Sequence, residues 1–495
     1  MVTETYPDQR MRRLVSYRPR RTTLWLLLAV SILGGVAVAR LGHACSLKLV
    51  IGLAALTVCM LRKRTVATLL LVVISGLSLG LWRGSSYVQQ SNGYYSLYGQ
   101  TVMLQVTAID DGVYSQTKQS QMNFDGGDVT TTDGQRLPGK IEVTGFGLNA
   151  VFEGDVVQAS GKLYSGLGSY SGFLSFGKLQ LVAHHPTLIA DLRRKFTSGM
   201  QTALPEPLAP FAMGLLIGQR ATLPASVKQD LLMVGLTHII AVSGYNLTIM
   251  LDASRKLLAK RSKRLSTLLS LSLIALFLLF AGASASIVRA AIVSVLSIWA
   301  AYYGREFKPL NLITIAAAIT VLANPLYLWA DSSWYLSFLA FFGVLMVSPE
   351  VEKRFVPERL RHNLLIGVAL ESVCAELMST PYILYVFNQM SFIGLPANVL
   401  VVTLVPLAML LSLIAGLAGM LTMQVCGWLA WPARLLLNYM LDISHVLAGL
   451  PHVFVSQIGI KLPALLGYYA LLTGFILILH FKNKSKTAII TERER

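Results

Sequence analysis

Long apolar runs dominate this chain, and their length, more than any period, sets the first expectation. A helix crossing the hydrocarbon core of a bilayer needs about 20 apolar residues. Runs of that kind lie near residues 24–40, 45–61, 65–82, 237–252, 266–282, 285–303, 310–329, 334–348, 364–387, 392–421 and 462–481. They predict a polytopic α-helical membrane protein of about 10–11 spans or re-entrant segments. Between residues 98 and 182 the pattern switches to short β-branched alternations broken by Gly, Asp and Ser. The stretches 101–107, 140–144, 155–159 and 178–182 read as strands. About five strands in such a span predict a small all-β domain of OB type.

The patterns divide the chain into N-terminal transmembrane helices (1–82), an extracytoplasmic OB-like β domain (83–185), a linker with membrane-surface helices (186–236), a transmembrane domain (237–481) and a basic tail (482–495). In the linker, Pro205, Pro207, Pro210 and Pro224 predict short helices on the outer surface or partly inserted. The run 392–421 is interrupted by Pro396, Asn398 and Pro406, so it is expected to turn back or split into half-helices. No sequence repeat supports an inverted-repeat transporter.

Composition strengthens the membrane assignment: 54% of residues are hydrophobic and 13% charged, against about 25% charged in soluble domains. The net charge of +18 matters through its placement. Basic clusters at 10–21, 62–64, 255–264, 305–308, 353–361 and 482–486 satisfy the positive-inside rule when both termini are cytoplasmic and the β domain is outside. The basic N-terminus and first apolar run mimic a secretory signal, but two more apolar runs follow closely, which predicts a retained helix in a multi-pass cell-membrane protein. Attraction to anionic lipid accounts for such charge, and composition alone does not call for nucleic acid. Residues 98–182 carry eight acidic and five basic side chains, which opposes a basic single-strand groove on the barrel. Cys45, Cys59, Cys374 and Cys426 lack metal-ligand spacing, so neither metal nor cofactor is predicted.

The most informative polar residues are His238, Ser243 and Asn246, set in the otherwise apolar stretch 234–247. A serine near a histidine inside a membrane suggests an intramembrane hydrolase. Five residues of helix, however, separate the two by about 140°, and a nucleophile must meet its base at hydrogen-bond distance. A non-enzymatic role is therefore expected. On one helix the polar groups fill a sector, and Gly244 offers a break where water or protein can satisfy backbone groups. That face either lines a wet passage or seals interhelical hydrogen bonds.

Arg289 follows a run of small residues and needs a partner at its depth. Glu371 and Glu376 are the candidates for intramembrane ion pairing; the alternative is that Arg289 offers its fork of donors to phosphate. The stretch Gly172–Leu179 nearly matches a phosphate loop, but Leu179 replaces the metal-binding hydroxyl and the context is a β domain.

Several ordered blocks resemble the ComEC DNA-internalisation channels of naturally competent bacteria. They are Gly218-Gln219-Arg220 with the stretch 235–244, then Ser286-Ile287-Val288-Arg289-Ala290, Asn324-Pro325, Trp334-Tyr335-Leu336-Ser337-Phe338 and Leu395-Pro396-Ala397-Asn398. The resemblance covers about residues 200–480 and extends to helices followed by an external OB-type domain. It implies a channel for uptake of single-stranded DNA during natural transformation, with His238, Ser243, Gly244, Asn246, Arg289 and Asn398 along the DNA path. Implied partners are single-stranded DNA, a surface DNA receptor, a cytoplasmic ATPase or single-strand DNA-binding proteins, membrane lipid and a second copy of the chain. Many members have a histidine where this chain has Asn246, and many carry a C-terminal metallo-β-lactamase-like domain. Since this chain ends at Arg495, strand degradation is expected to fall to a separate nuclease. The competing classes are a small-solute or lipid transporter, suggested by broken helices and intramembrane carboxylates, and the serine hydrolase.

Overall fold

The computed structural model describes residues 19–43, 45–61, 65–114, 121–185, 188–219, 222–240, 247, 251, 262–282, 285–305, 308–361, 363–422 and 427–493. Among these, six helices are long and apolar enough to cross a membrane: Arg21–Ala39, Val66–Tyr95, Lys263–Ala281, Ser332–Phe355, Gly394–Leu421 and Leu462–Lys482. Shorter apolar helices cover Leu47–Met60, Leu208–Ile217, Ser286–Tyr302 and Pro309–Ala323. The result is a multi-pass helical membrane protein with a small β domain, as the hydropathy pattern predicts. The chain forms two compact units, the first running to Thr187 and adding Leu310–Ser332, the second comprising Leu188–Pro309 and Ser333–Arg495.

In the first unit, Arg21–Ala39 crosses Val66–Tyr95 at backbone contact. Gly76, Gly80 and Gly84 recur every fourth residue and so share a helix face. A methyl group at Gly80 would run into the Ile32 carbonyl oxygen and stand 2.8 Å from the Val36 nitrogen, while one at Gly35 would meet the Leu77 carbonyl. The helix Pro309–Ala323 joins this pair through polar bonds to backbone. Asn311 donates to the Thr22 carbonyl at 3.1 Å, and Arg83 donates from Nε to Leu322 O at 2.7 Å and from Nη2 to Ala323 O at 2.8 Å. Arg83 thus satisfies carbonyls that a helix C-terminus leaves open. The span expected over 310–329 stops at Ala323 because Asn324-Pro325 cannot continue it; a short turn, Leu326–Trp329, follows.

The β domain is a closed barrel. Strands β1 (Thr101–Ala108), β2 (Val113–Tyr114), β3 (Met122–Thr131), β4 (Lys140–Phe146), β5 (Val156–Ser165) and β6 (Tyr170–Ala183) form a sheet ordered β1-β5-β6-β4-β3-β2, and β1 also pairs with β3. β4 and β6 run parallel, and the other pairs are antiparallel. With the two-residue β2 set aside on the edge of β3, the other five strands close as the Greek-key barrel of OB type. Alternate residues fill it, among them Leu104, Val106, Phe124, Ile141, Val143, Val157, Leu163 and Leu174. β3 was not visible as a strand because two Gly and two Asp interrupt Met122–Thr131. The near-match to a phosphate loop lies inside β6.

In the second unit, the helix Leu188–Ala203 lies on Gly394–Leu421, where a Cβ at Gly419 would overlap the Gly199 carbonyl. Leu208–Ile217, in the segment where surface helices are expected, is buried from Leu208 to Leu216 within the unit's main core. Its ten residues carry no charge and no polar side chain, so every face can be covered. The run 392–421 stays one helix, tightened to 3₁₀ over Val402–Leu404, instead of splitting. Pro396 sits in the first turn, where no intrahelical N–H bond is lost, and the tight segment accommodates Pro406. Ser332–Phe355 contains a π-helical stretch, Gly343–Val347, whose glycine abuts the Cys374 carbonyl of the helix Leu364–Phe387. A further helix, Gly427–Ala448, is not evident from hydropathy, because Arg434, Asn438, Asp442 and His445 line one face.

Replacing Gly80 by leucine is expected to destabilise the protein by about 1–3 kcal/mol, the usual cost of overpacking. Gly52→Leu should be neutral, since a Cβ there meets nothing within 4 Å. Thermal unfolding of the purified protein in detergent distinguishes the two.

Candidate functional site

The segment singled out by its polar residues begins where a helix ends. Ala225–Met233 closes in a Schellman motif: Leu236 N donates to Leu231 O at 2.7 Å, Gly235 N donates to Leu232 O at 3.1 Å, and Gly235 has φ 76°. Such a left-handed residue is usually glycine. Residues 237–240 are therefore turns, and His238 does not stand on a helix face as a span over 237–252 would require. A helix therefore ends at Gly235. Ser243, Gly244 and Asn246 lie outside the described residues, so the sector they were expected to share with His238 has no structural counterpart to report. Leu236, Ile239 and Ile240 are buried, whereas His238 is exposed, with Nδ1 3.2 Å from the Gly235 carbonyl.

This turn meets the block containing Asn398. A Cβ on Gly235 would lie 3.3 Å from the Ser391 Cβ and 3.6 Å from the Gly394 Cα, and one on Gly394 would lie 3.3 Å from Glu376 Oε1. Asn398 Nδ2 donates to that same Glu376 oxygen at 2.7 Å. Asn398 is 8% exposed, and its Oδ1, like the Ser391 hydroxyl, is buried without a hydrogen-bond partner among the described residues. An amide that donates to a carboxylate inside an apolar bundle provides one of the few contacts able to offset a buried acid. Glu376 also borders an open, mostly apolar groove of about 490 Å³ shared with Thr380 and Tyr468.

Arg289 forms a second polar point. It is 4% exposed on the helix Ala285–Tyr302, donates from Nη2 to the Ser333 carbonyl at 3.4 Å, and holds its guanidinium 5.7 Å from the Phe338 ring centre. Trp334 packs against Phe338 with centroids 4.7 Å apart. The arginine is thereby met by a backbone oxygen and an aromatic face. The sequence blocks around 286–290 and 334–338 thus come together, as do those around 235 and 394–398. Hydropathy did not reveal the Glu376–Asn398 bond or the involvement of Ser391; the usable signal was Gly235 and Gly394, each three residues from a polar residue, His238 and Ser391, in an apolar run.

The barrel presents acids beside its aromatics. Tyr170 donates its hydroxyl to Asp125 Oδ2 at 2.9 Å, and Lys140 Nζ reaches the same oxygen at 3.1 Å while lying 4.2 Å from the Tyr170 ring centre. Burial pushes the Glu142 carboxyl above its usual range; Asp125 adds to this and Lys140 opposes it.

Two outcomes are expected. Asn398→Ala should destabilise the protein by about 1–3 kcal/mol, the cost of stranding a buried polar group. In the Glu376→Gln background the same change should cost less, as a double-mutant cycle of unfolding in detergent measures. For Glu142, a raised folded-state pKa means the folded barrel holds the proton more tightly than the unfolded chain. The stability it contributes is complete below the unfolded value of about 4.3 and is lost as pH rises through the folded value. Glu142→Gln should therefore increase hydrogen–deuterium exchange protection of β3 and β4 at neutral pH, with the gain vanishing near pH 4.

Compared with known proteins, the family model described as Competence protein matches residues 215–482. ComE operon protein 3 of Bacillus subtilis (strain 168) is 24% identical over 313 residues, 61% of this chain and 38% of that protein. The chain thus spans well under half the length of that relative. No solved structure matches.

Proposed function

This chain belongs to the competence protein family, and on that premise we propose that it is a cell-membrane channel through which single-stranded DNA enters the cytoplasm during natural transformation. The observation that carries the proposal is Arg289, almost fully buried in an apolar helix and held by a carbonyl oxygen and an aromatic ring. Phosphates cannot cross hydrocarbon without donors and water. A guanidinium at this depth offers a planar fork of donors matched to a passing phosphodiester. His238, Ser243, Gly244, Asn246 and Asn398 complete the path in this reading.

The remaining parts follow from chemistry that the passage itself does not supply. Duplex DNA must be captured outside by a surface receptor and reduced to one strand by a nuclease. Inward movement needs a cytoplasmic ATPase or single-strand-binding proteins that rectify entry. The acidic barrel is poorly suited to hold the strand by charge, which favours presentation of DNA by a separate receptor.

The test is import of fluorescent DNA by cells carrying Arg289→Ala at normal membrane abundance. Import should fall on the order of tenfold or more, the worth of one charge-assisted hydrogen bond, while Arg289→Lys retains part of it. Unchanged import in Arg289→Ala would remove this residue from the path. A deletion that alters solute flux and leaves DNA import intact would favour the transporter class instead.

A further inference from the structure

The β5–β6 hairpin ends in Gly166-Leu167-Gly168-Ser169, and Leu167 is 89% exposed. An apolar side chain so bare at the apex of a turn has no partner within its own unit. Its position along the barrel indicates what covers it.

Five residues separate the end of the helix Val66–Tyr95 from the start of β1, and Thr101 pairs with Lys162 on β5. β5 runs back toward the helix, and β5 and β6 stay paired to Ser165 and Gly172. The hairpin therefore extends below the first residue of β1. Lys162 pairs with Ser175, and Ser171 is four residues further along β6, about 13 Å at the rise of a strand. At that level Ser171 is bonded to the helix itself: its hydroxyl lies 3.0 Å from the Tyr87 hydroxyl, and its carbonyl accepts from the Tyr98 hydroxyl at 2.5 Å. Tyr87 is eight residues before the helix end, about 12 Å at the rise of a helix. The two distances agree, so the hairpin lies alongside the last two turns of the helix.

The helix is 30 residues long, and the hydrocarbon core takes up about 20 of them. Counted from Val66, the core ends near Ser85. Interface residues cluster at this level. Tyr87 packs edge-on against Trp329, with centroids 6.1 Å apart, and Arg83 lies 5.8 Å from the Tyr87 ring centre. Trp, Tyr and Arg collect where hydrocarbon meets headgroups. The hairpin turn begins beyond Ser171 on the membrane side, with Tyr164 44% exposed on its flank and the Lys162 ammonium 5.5 Å from the Tyr164 ring centre.

We propose that the β5–β6 hairpin tip inserts Leu167 into the headgroup–acyl boundary of the outer leaflet, with Tyr164 at the interface and Lys162 facing lipid phosphates. The barrel is thereby moored to the bilayer at a second point besides the helix that leads into it. Two attachments fix its tilt, whereas one leaves it free to swing. The partner is the lipid surface, and the proposal is independent of what the helical unit conducts.

The test uses the full-length chain with all four native cysteines replaced. Single cysteines at Leu167, at exposed Ala150 on the opposite end of the barrel, and at exposed Leu56 in the helix Leu47–Met60 are labelled with an environment-sensitive nitrobenzoxadiazole dye. The protein is reconstituted in phosphatidylglycerol–phosphatidylethanolamine vesicles containing nitroxide-bearing lipid. Because Leu167 is exposed, its replacement leaves folding intact. The dye at 167 should be blue-shifted and quenched several-fold more than the dye at 150, most strongly by nitroxides near the headgroup. Equal quenching at 167 and 150, with strong quenching at 56, would overturn the mooring while showing that the helices are inserted. A blue shift at 167 without quenching would overturn it as well, by placing the tip against protein.

Discussion

The approach of Gly235 to Ser391 and Gly394 holds the polar centre of the helical unit together. Because no side chain stands at Gly235 or Gly394, the turn bearing His238 seats against the start of the helix that carries Asn398, and Asn398 reaches Glu376. Inside a bilayer, apolar side chains gain little by leaving lipid for protein, so helices associate through close packing and hydrogen bonds. The same solution recurs where Gly80 meets Ile32 and where Gly419 meets Gly199. Each contact substitutes backbone proximity for the hydrophobic drive available in water.

Two ionic residues of the helical unit, Glu376 and Arg289, are handled differently. Glu376 is met by an amide on a neighbouring helix, a contact that leaves the acid in place and uses one arm of Asn398. Arg289 is met by, among others, a carbonyl and a ring on the helix that follows Asp331.

The class of the protein was legible in the lengths of its apolar runs, and four of the barrel strands in their β-branched alternation. What escaped did so for physical reasons. β3 is a strand because its partners β1 and β4 supply hydrogen bonds to a stretch of Gly and Asp that has little strand preference of its own. Gly427–Ala448 was hidden by a polar stripe that lowers its mean hydropathy, although one residue of that stripe, His445, lies 2.8 Å from Asp230 on another helix. The site was half visible. Polar residues in apolar runs marked His238, Arg289 and Asn398, but which of them meet depends on a helix ending at Gly235, and an apolar run read for length alone conceals that ending.

The π-helical stretch Gly343–Val347 holds one residue more than an α-helical turn would, which makes it an insertion that the helix absorbs. It sets the rotational phase between the half carrying Trp334 and Phe338 and the half carrying Glu350, the residue near His480. Wound as regular α-helix with no residue removed, the same segment would turn one half against the other by about 100°. Phe338 and Glu350 could then no longer both keep their neighbours. Arg289 and the C-terminal helix are in this sense geared to each other through the bulge, which takes up one surplus residue without displacing either.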